Sequence, residues 1–337
     1  MALLERASAL ADLDRWLGEA RSGHGRLVLV GGEAGVGKTS LVHEFGERHR
    51  RGVATGGRWL WCGCDPLTTP QPLGPLAEVA ADLGGPIGEL FGRDRPAGHV
   101  PARDAVFADV LDRLHGRGAA RVLVVEDLHW ADEMTVDLLR YLVRRIGRLP
   151  ALVVGTFRHD GLGQNHPLRL LLGDLATAPT VRRLEVAPLS ADAVAALAVP
   201  AGLNPQRLYA ATAGNPFYVT EAIAAGGDGI PATVRDAVLA RAARLSDRAR
   251  QVLDVAALIT APVEVSLLLE VASAAGPSAD ECVRAGMLRE RPGGVEFRHE
   301  LARLAVDEAI APAQRTAIHR RTLAVLLARP ATTHDPA

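Results

Sequence analysis

The sequence of 337 residues contains a single lysine and three cysteines, and it has no long hydrophobic run. The longest stretch without an acidic or basic side chain covers residues 193–206, which is shorter than the roughly 20 residues of a transmembrane helix. Charged residues also interrupt the apolar residues near the N-terminus, so no signal-peptide core forms. We therefore expect a cytoplasmic protein that does not cross a membrane.

The small number of cysteines and the low net charge exclude two further classes of protein. Cys62, Cys64 and Cys282 are too few for a disulfide framework, and the first two lack the second ligand pair of a zinc site. We expect free thiols that are buried or partly buried. The net charge of −1 provides no overall field that would hold a nucleic-acid backbone, although local basic patches are compatible with it.

The only lysine, Lys38, lies in a glycine-rich segment with the pattern G-x-x-x-x-G-K-[ST]. A buried strand is predicted before it at residues 26–30, and a helical pattern follows it. This order is typical of a P-loop, in which backbone N–H groups surround phosphate oxygens at a helix N-terminus. A slim ammonium side chain fits such a loop better than a planar guanidinium. The predicted nucleotide-binding residues here are Gly32, Glu33, Ala34, Gly35, Val36, Gly37, Lys38, Thr39 and Ser40.

A second buried strand, at residues 121–125, leads directly into Glu126 and Asp127. Four consecutive apolar residues are typical of a strand covered on both faces, as in parallel sheets. The pattern is that of a Walker B strand, so one carboxylate is expected to hold Mg²⁺ and the other to polarise the attacking water. The predicted metal-binding residues are Thr39, Glu126 and Asp127.

A third apolar strand, at residues 152–156, leads to Arg158. A guanidinium at the end of a central strand can contact the γ-phosphate, so Arg158 joins Lys38, Glu126 and Asp127 as a predicted catalytic residue. The other predicted elements of this region are strands at 58–62 and 181–186 and helices at 103–114 and 135–146. The alternation of strands and helices predicts an α/β fold, a P-loop NTPase parallel sheet with helices on both faces, over residues 1–188.

After residue 188 the pattern becomes almost entirely helical. We predict a small helical lid domain at 189–229, a winged-helix domain at 230–312, and a C-terminal helix in 313–337 that begins a missing or truncated downstream region. The helices expected in these regions cover 190–198, 206–213, 217–225, 233–245, 247–259, 265–274, 281–287 and 313–328. A linker at 226–231 and a short strand at 295–297 complete this half of the chain.

Seven stretches of the sequence resemble the STAND class of signalling ATPases, and within it the large ATP-binding LuxR-type (LAL) regulators of bacteria. In chain order they are LLERASALADL, GGEAGVGKTS, WCGCDPLTTPQPLGPLAEV, VLVVEDLHWAD, VVGTFRHD, AGNPFYVTEAI and FRHELARLAV, and they extend over nearly the whole chain. The resemblance implies an AAA+-like module in which Arg6 lies near the adenine, Arg158 is the first sensor, Pro216 packs on the base and His299 contacts the phosphates.

The chain departs from that family in two respects. Glu126 stands where many relatives have Asp, and the extra methylene changes metal geometry, so the hydrolysis rate is less well determined than binding. The helical repeats and DNA-binding helix-turn-helix expected in a full-length relative do not fit after Ala337.

These observations favour an ATP/ADP-binding switch with slow ATP hydrolysis, the regulatory module of a LuxR-type transcriptional regulator. Its expected partners are a nucleotide with Mg²⁺ and a further copy of the chain in the ATP state, without specific DNA binding by this chain. One alternative is a turnover enzyme such as a P-loop kinase or an ATP-driven hydrolase. The other is a winged-helix DNA-binding ATPase, suggested by a basic run that comprises Arg235, Arg241, Arg244, Arg248 and Arg250.

Overall fold

Three apolar runs of the sequence form the central strands of a five-stranded sheet in the computed structural model. Strands β1 (Arg26–Gly31), β3 (Arg121–Glu126) and β4 (Ala151–Thr156) each bury at least four consecutive side chains, as expected for strands covered on both faces. Strands β2 (Trp59–Gly63) and β5 (Val181–Glu185) lie at the two edges and are only partly buried. All neighbouring pairs are parallel, and the order is β2-β3-β4-β1-β5.

The structure describes residues 3–51, 59–67, 69–91, 102–115, 120–160, 162–163, 165–227, 229–259 and 262–329. The chain divides into two compact units, Met1–Ala187 and Pro188–Ala337. The finer division at 189–229, 230–312 and 313–337 stays a prediction. Arg58 of a predicted strand, Asp228 of the predicted linker and residues 330–337 lie outside the described residues.

Helices cover both faces of the sheet in the first unit, which confirms the predicted α/β fold. They are α1 (Ala7–Arg21), α2 (Lys38–Arg51), α3 (Ala80–Leu83), α4 (Gly85–Phe91), α5 (Arg103–His115), α6 (Glu133–Val143) and α7 (Pro167–Asp174). One face of the sheet packs on α1 and α2 through Leu13 and Phe45. The opposite face packs on α5 and α6 through Phe107 and Leu139.

Helix α6 begins two residues before the predicted position because Asp132 caps it. The Asp132 carboxylate accepts a hydrogen bond from the Thr135 N–H at 3.0 Å and so satisfies a donor of the first turn. The same oxygen accepts the Leu73 N–H at 3.0 Å. A single buried carboxylate therefore ties the segment before α3 to the start of α6.

The second unit is mainly helical and ends in a small hairpin followed by two helices. Its helices are α8 (Ala191–Ala198), α9 (Pro205–Thr212), α10 (Pro216–Ala224), α11 (Ala232–Ala242), α12 (Asp247–Leu258), α13 (Val265–Ala272), α14 (Gly276–Arg284), α15 (Glu300–Ala309) and α16 (Pro312–Ala328). The antiparallel strands β6 (Leu288–Arg291) and β7 (Gly294–Phe297) pair with each other, and Val263 bridges to Val295. The hairpin confirms the predicted short strand, whereas a winged-helix domain is not confirmed.

Helix α14 begins five residues before its predicted start at residue 281. Gly276 and Pro277 open it, and the fixed φ of proline is already helical, which favours the first turn. Helix α16 agrees with its prediction but buries only Ile318. No helix in the described part of the chain is both long enough and apolar enough to span a membrane.

Candidate functional site

The glycine-rich loop connects β1 to the start of α2, as the sequence predicts. Gly32 has φ 151° and Gly37 has φ 94°, values that a side chain rarely tolerates. A Cβ at Gly32 would also lie 2.8 Å from the Val186 carbonyl oxygen. The loop therefore needs glycine at Gly32 for both conformation and space, and at Gly37 for conformation.

Lys38 is the first residue of α2, and its side chain folds back across the loop. The Nζ atom donates to the carbonyl oxygens of Gly32 at 2.9 Å and Glu33 at 2.8 Å. Because an ammonium has three N–H donors, one donor is left over for an anion in front of the loop. Thr39 and Ser40 are exposed in the same first turn, where the helix dipole and unpaired N–H groups favour a negative ligand.

The groups around Lys38 shift its pKa in both directions. Burial, and to a smaller extent the nearby Arg158 guanidinium, lower the pKa of Lys38 to about 8. Three carboxylates act in the opposite direction, those of Asp127, Asp160 and Glu185. Lys38 is 6% exposed, so its ammonium has little contact with water and binds its proton more weakly than an exposed lysine does.

The two predicted acids follow β3 but differ in their backbone and contacts. Glu126 accepts a hydrogen bond from the Trp61 indole N–H, with Nε1 2.9 Å from Oε2. Asp127 has φ 55°, a left-handed conformation that is uncommon outside glycine and costs about 1 kcal/mol or more. Its N–H donates to Thr156 Oγ1 at 2.9 Å. The end of β4 thus holds the strained Asp127 backbone at the carboxyl edge of the sheet.

Arg158 follows β4 and lies beside Asp127. Its Nε atom is 3.9 Å from Asp127 Oδ1, and its guanidinium carbon lies 5.3 Å from the centre of the Trp130 ring. Burial raises the pKa of Asp127, while Arg158 and Lys38 oppose that shift. The structure therefore brings the four predicted catalytic residues, including Glu126, to one edge of the sheet.

Arg6 precedes α1 and is buried beneath the glycine-rich loop. It donates to the carbonyl oxygens of Val36 at 3.2 Å and Ala187 at 2.8 Å. Burial lowers the pKa of Arg6. The guanidinium thus joins the chain start, the loop and the end of the first unit, while its contact with an adenine stays a prediction.

Mg²⁺ fits the residues at this edge. Glu126 Oε1 is buried without a hydrogen-bond partner among the described residues, an arrangement that favours a cation because a buried carboxylate oxygen needs compensation. The described residues contain no cluster of three or more His, Cys, Asp or Glu that could hold a metal. Mg²⁺ is commonly held by one or two carboxylates together with substrate phosphates. Glu126, Asp127 and the Thr39 hydroxyl would hold it, and the ion would supply positive charge next to transferring phosphate.

Residues 2–154 match the AAA ATPase domain family. The chain contains an AAA ATPase-like domain. A Walker-type ATPase of Pyrococcus abyssi has a similar fold, with a TM-score of 0.59 at 14% identity over 90% of this chain and 96% of that one.

Two further proteins are similar to this chain. An uncharacterized protein of Rhizobium meliloti is 26% identical over 396 residues, which cover 95% of this chain and 36% of that protein. The chain therefore spans about a third of that relative's length. A STAND protein with a tetratricopeptide repeat sensor from Pyrococcus horikoshii is 18% identical over 93% of this chain and 44% of its own, but its TM-score of 0.40 is too low to support conclusions.

Two side chains near the AAA ATPase-like site were not predicted from the sequence. Asp160 Oδ2 accepts the Ala34 N–H of the glycine-rich loop at 3.3 Å. Glu185, at the end of β5, is a further carboxylate that acts on Lys38. Asp160 stands two residues after Arg158 in the stretch VVGTFRHD, which is the signal that could have identified it.

Pro216 and His299 lie in the second unit, where the structure shows local roles for them. Pro216 opens α10 after Asn215, whose side chain caps that helix by accepting the Phe217 N–H. His299 is 4% exposed, and its Nδ1 atom donates to the Thr212 carbonyl oxygen at 2.9 Å. The contacts of Pro216 and His299 with a nucleotide stay predictions.

The tautomer of His299 limits what its ring can do. Since a carbonyl oxygen only accepts, Nδ1 carries the proton, and in a neutral ring Nε2 is then an acceptor. Burial, and to a smaller extent nearby arginines, lower the pKa of His299 to about 3, although the hydrogen bond to Thr212 opposes the shift. Nε2 could therefore donate a hydrogen bond to a phosphate only if the negative charge of the phosphate raised the pKa of His299 enough to add a second proton to the ring.

Proposed function

We propose that the first unit binds ATP and ADP with Mg²⁺, hydrolyses ATP slowly, and serves as a nucleotide-operated switch. The observation that carries this proposal is that the glycine-rich loop and the two acids at the end of β3 lie at the same edge of the sheet. Lys38 spans the loop with one N–H donor left over, and Asp127 and Arg158 lie within 3.9 Å of each other at the same edge. Such an arrangement stabilises the charge that develops during phosphoryl transfer.

The environment of Asp127 supports slow hydrolysis. A carboxylate that acts on water must accept its proton or polarise it, and the Arg158 guanidinium opposes the rise in pKa that burial gives Asp127. Arg158 lies beside Asp127, and Glu126 is already engaged by Trp61. Nucleotide binding then depends on the glycine-rich loop, whereas hydrolysis depends on two acids that already contact other side chains of the protein.

The second unit supports the switch rather than a turnover enzyme. We propose a helical lid at 189–229 and a winged helix at 230–312, supported by the β6-β7 hairpin and by the bridge that Val263 adds to it. In this proposal Pro216 packs on the base and His299 responds to the phosphates. The module would regulate transcription as part of a longer LuxR-type protein and would self-associate in its ATP state.

The basic run of the second unit favours a solvated helix face over a DNA-binding surface. Arg235 Nη2 lies 3.1 Å from Glu308, and Arg250 Nε lies 2.9 Å from Asp254. Carboxylates that already pair with these guanidinium groups reduce the attraction for a phosphate backbone. We expect no sequence-selective shift of duplex DNA at physiological salt, and such a shift would support the DNA-binding alternative.

Analysis of the nucleotide that copurifies with the chain tests the proposed function. For a switch we expect roughly stoichiometric ADP, identified by mass spectrometry, that exchanges slowly with labelled ADP. Rapid multiple turnover, or phosphoryl transfer to a member of a small-molecule acceptor panel, would favour the turnover enzyme. Absence of any ATP or ADP binding by the purified chain would refute the proposal.

A further inference from the structure

The side chain of Trp61 lies on the same face of the sheet as Glu126. In the parallel pairing of β2 and β3, Trp61 is in register with Val124. Because side chains alternate along a strand, Glu126 points to the same face as Val124, two residues before it. Trp61 and Val124 both pack against the core formed with α2. The register therefore places an indole next to the last carboxylate of the strand, with Trp61 Nε1 2.9 Å from Glu126 Oε2.

The two oxygens of the Glu126 carboxylate have different surroundings. The indole N–H is a donor only, so Trp61 can hold Oε2 but cannot accept anything in return. Oε1 is buried and has no hydrogen-bond partner among the described residues. One oxygen is thereby anchored to the protein, and the other is presented to a cation or to water bound to it.

The indole is itself held by α2, the helix that follows the glycine-rich loop. Its ring stacks on His43, with 4.1 Å between ring centres and 21° between planes. His43 lies on α2, four residues after Thr39, and therefore on the same side of that helix. The stacked rings thus connect Glu126 at the end of β3 to α2 at His43, about one helical turn after Thr39.

We propose that Trp61 is a positioning residue for Mg²⁺: its N–H orients Glu126 so that Oε1 meets the ion beside the Thr39 hydroxyl. Glutamate has one more rotatable bond than aspartate, so its carboxylate loses more freedom when it is fixed. The Trp61 hydrogen bond removes that freedom in advance. This inference rests on the proposed nucleotide function, since the ion is bound together with the nucleotide.

The variant Trp61→Phe tests the proposal, because it keeps an aromatic ring against His43 and removes only the N–H donor. We expect the affinity of the protein–ADP complex for Mn²⁺, measured by electron paramagnetic resonance, to fall about tenfold, as for the loss of one hydrogen bond to a charged group. ADP affinity in excess chelator is expected to stay within about twofold, because the loop contacts do not involve Glu126. This second measurement also reports whether the variant is folded.

Trp59→Phe is the matched control. Trp59 lies two residues earlier on the same face of β2, and its ring packs on Phe45 and His49. We expect parental Mn²⁺ affinity in this variant. Parental Mn²⁺ affinity in Trp61→Phe would overturn the proposal, as would a Trp61→Phe protein that loses ADP binding in chelator to the same extent. A parental chain that binds ADP with no effect of Mn²⁺ would instead contradict the Mg²⁺ part of the proposed function.

Discussion

The glycine-rich loop of the first unit and the region around His299 in the second both bury a basic side chain that donates to backbone carbonyl oxygens. The two differ in the charges that face these side chains. Burial lowers the pKa of Lys38 to about 8, and three carboxylates oppose that shift while one guanidinium adds to it. Burial also lowers the pKa of His299 to about 3, and the charged groups that act on it, the guanidiniums of Arg241, Arg289 and Arg298, all add to the shift.

This difference separates a site prepared for an anion from a histidine that stays neutral without one. Near neutral pH the Lys38 ammonium is charged, and it has a donor beyond those used by Gly32 and Glu33. The donor of the neutral His299 ring is already used by Thr212. The P-loop pattern predicts that Lys38 contacts the phosphates, and the family resemblance predicts the same for His299, but only Lys38 has the charge for that role before a ligand arrives.

The largest effect is expected from replacement of Lys38. Lys38→Ala removes the ammonium, and Lys38→Arg introduces a group too broad for the loop. We expect both to weaken ATP binding by at least about a hundredfold in calorimetry, with the circular dichroism spectrum unchanged. The control Arg15→Ala removes an exposed cation of α1 and is expected to bind normally. Near-normal ATP affinity in Lys38→Arg would contradict a phosphate role for the lone lysine.

Replacement of the acids is expected to separate hydrolysis from binding. Glu126→Gln and Asp127→Asn keep the size of each side chain but remove the charge that acts on metal and water. We expect the rate of ATP hydrolysis to fall roughly a hundredfold, while ATP affinity measured in excess chelator changes about threefold or less. Asp137→Asn, which alters a partly exposed acid of α6, serves as the control. Parental hydrolysis rates in both amide variants would show that the Walker B assignment is wrong.

His299 variants test whether the second region matches the first. We expect His299→Ala to release a fluorescent ADP analogue roughly ten- to hundredfold faster in stopped-flow measurements, as for the loss of one charge-assisted hydrogen bond. In His299→Asn the amide nitrogen takes the place of Nδ1, so donation to Thr212 is kept while the Nε2 edge is lost. The same acceleration is therefore expected in both variants.

The free energy of unfolding distinguishes the alternative role of His299. A purely structural histidine would leave ADP release unchanged in both variants, and His299→Ala alone would lose about 1–3 kcal/mol of stability in urea denaturation because the Thr212 oxygen is left unpaired. That combination of results would remove His299 from the proposed switch and would strengthen the contrast with Lys38.

A smaller effect is expected from pH. Lys38 is charged below its pKa of about 8 in the free protein, and a bound phosphate raises that pKa. ATP affinity is therefore expected to fall roughly tenfold between pH 7 and pH 9, with proton uptake on binding at pH 9. Calorimetry in two buffers of different ionisation enthalpy measures this uptake. Cys64 and Cys282 do not account for it, because burial raises the pKa of each to about 12, and absence of uptake would contradict the assignment to Lys38.

The fold of the first unit was largely predictable because its strands are continuous apolar runs. Such runs are unambiguous when glycine or charged residues end them, as at Gly31 and Glu126. The short helices between β2 and α5 were not predicted, since segments of four and seven residues are too short to show a helical period. The helices and one strand of the second unit were predictable from the sequence, but the way they pack together was not.

Local sequence patterns by themselves determined the loop, the acids and the arginine, since each lies immediately after a predicted strand. All three cysteines are buried free thiols, as expected. Only the tertiary structure decided the contacts of Trp61, Asp160 and His299. Trp61 and Glu126 are 65 positions apart, and the pairing register of two strands, which no local pattern specifies, brings them together. The protonation of Lys38 and His299 likewise depends on the burial and the neighbouring charges that folding produces, so residue type alone does not determine it.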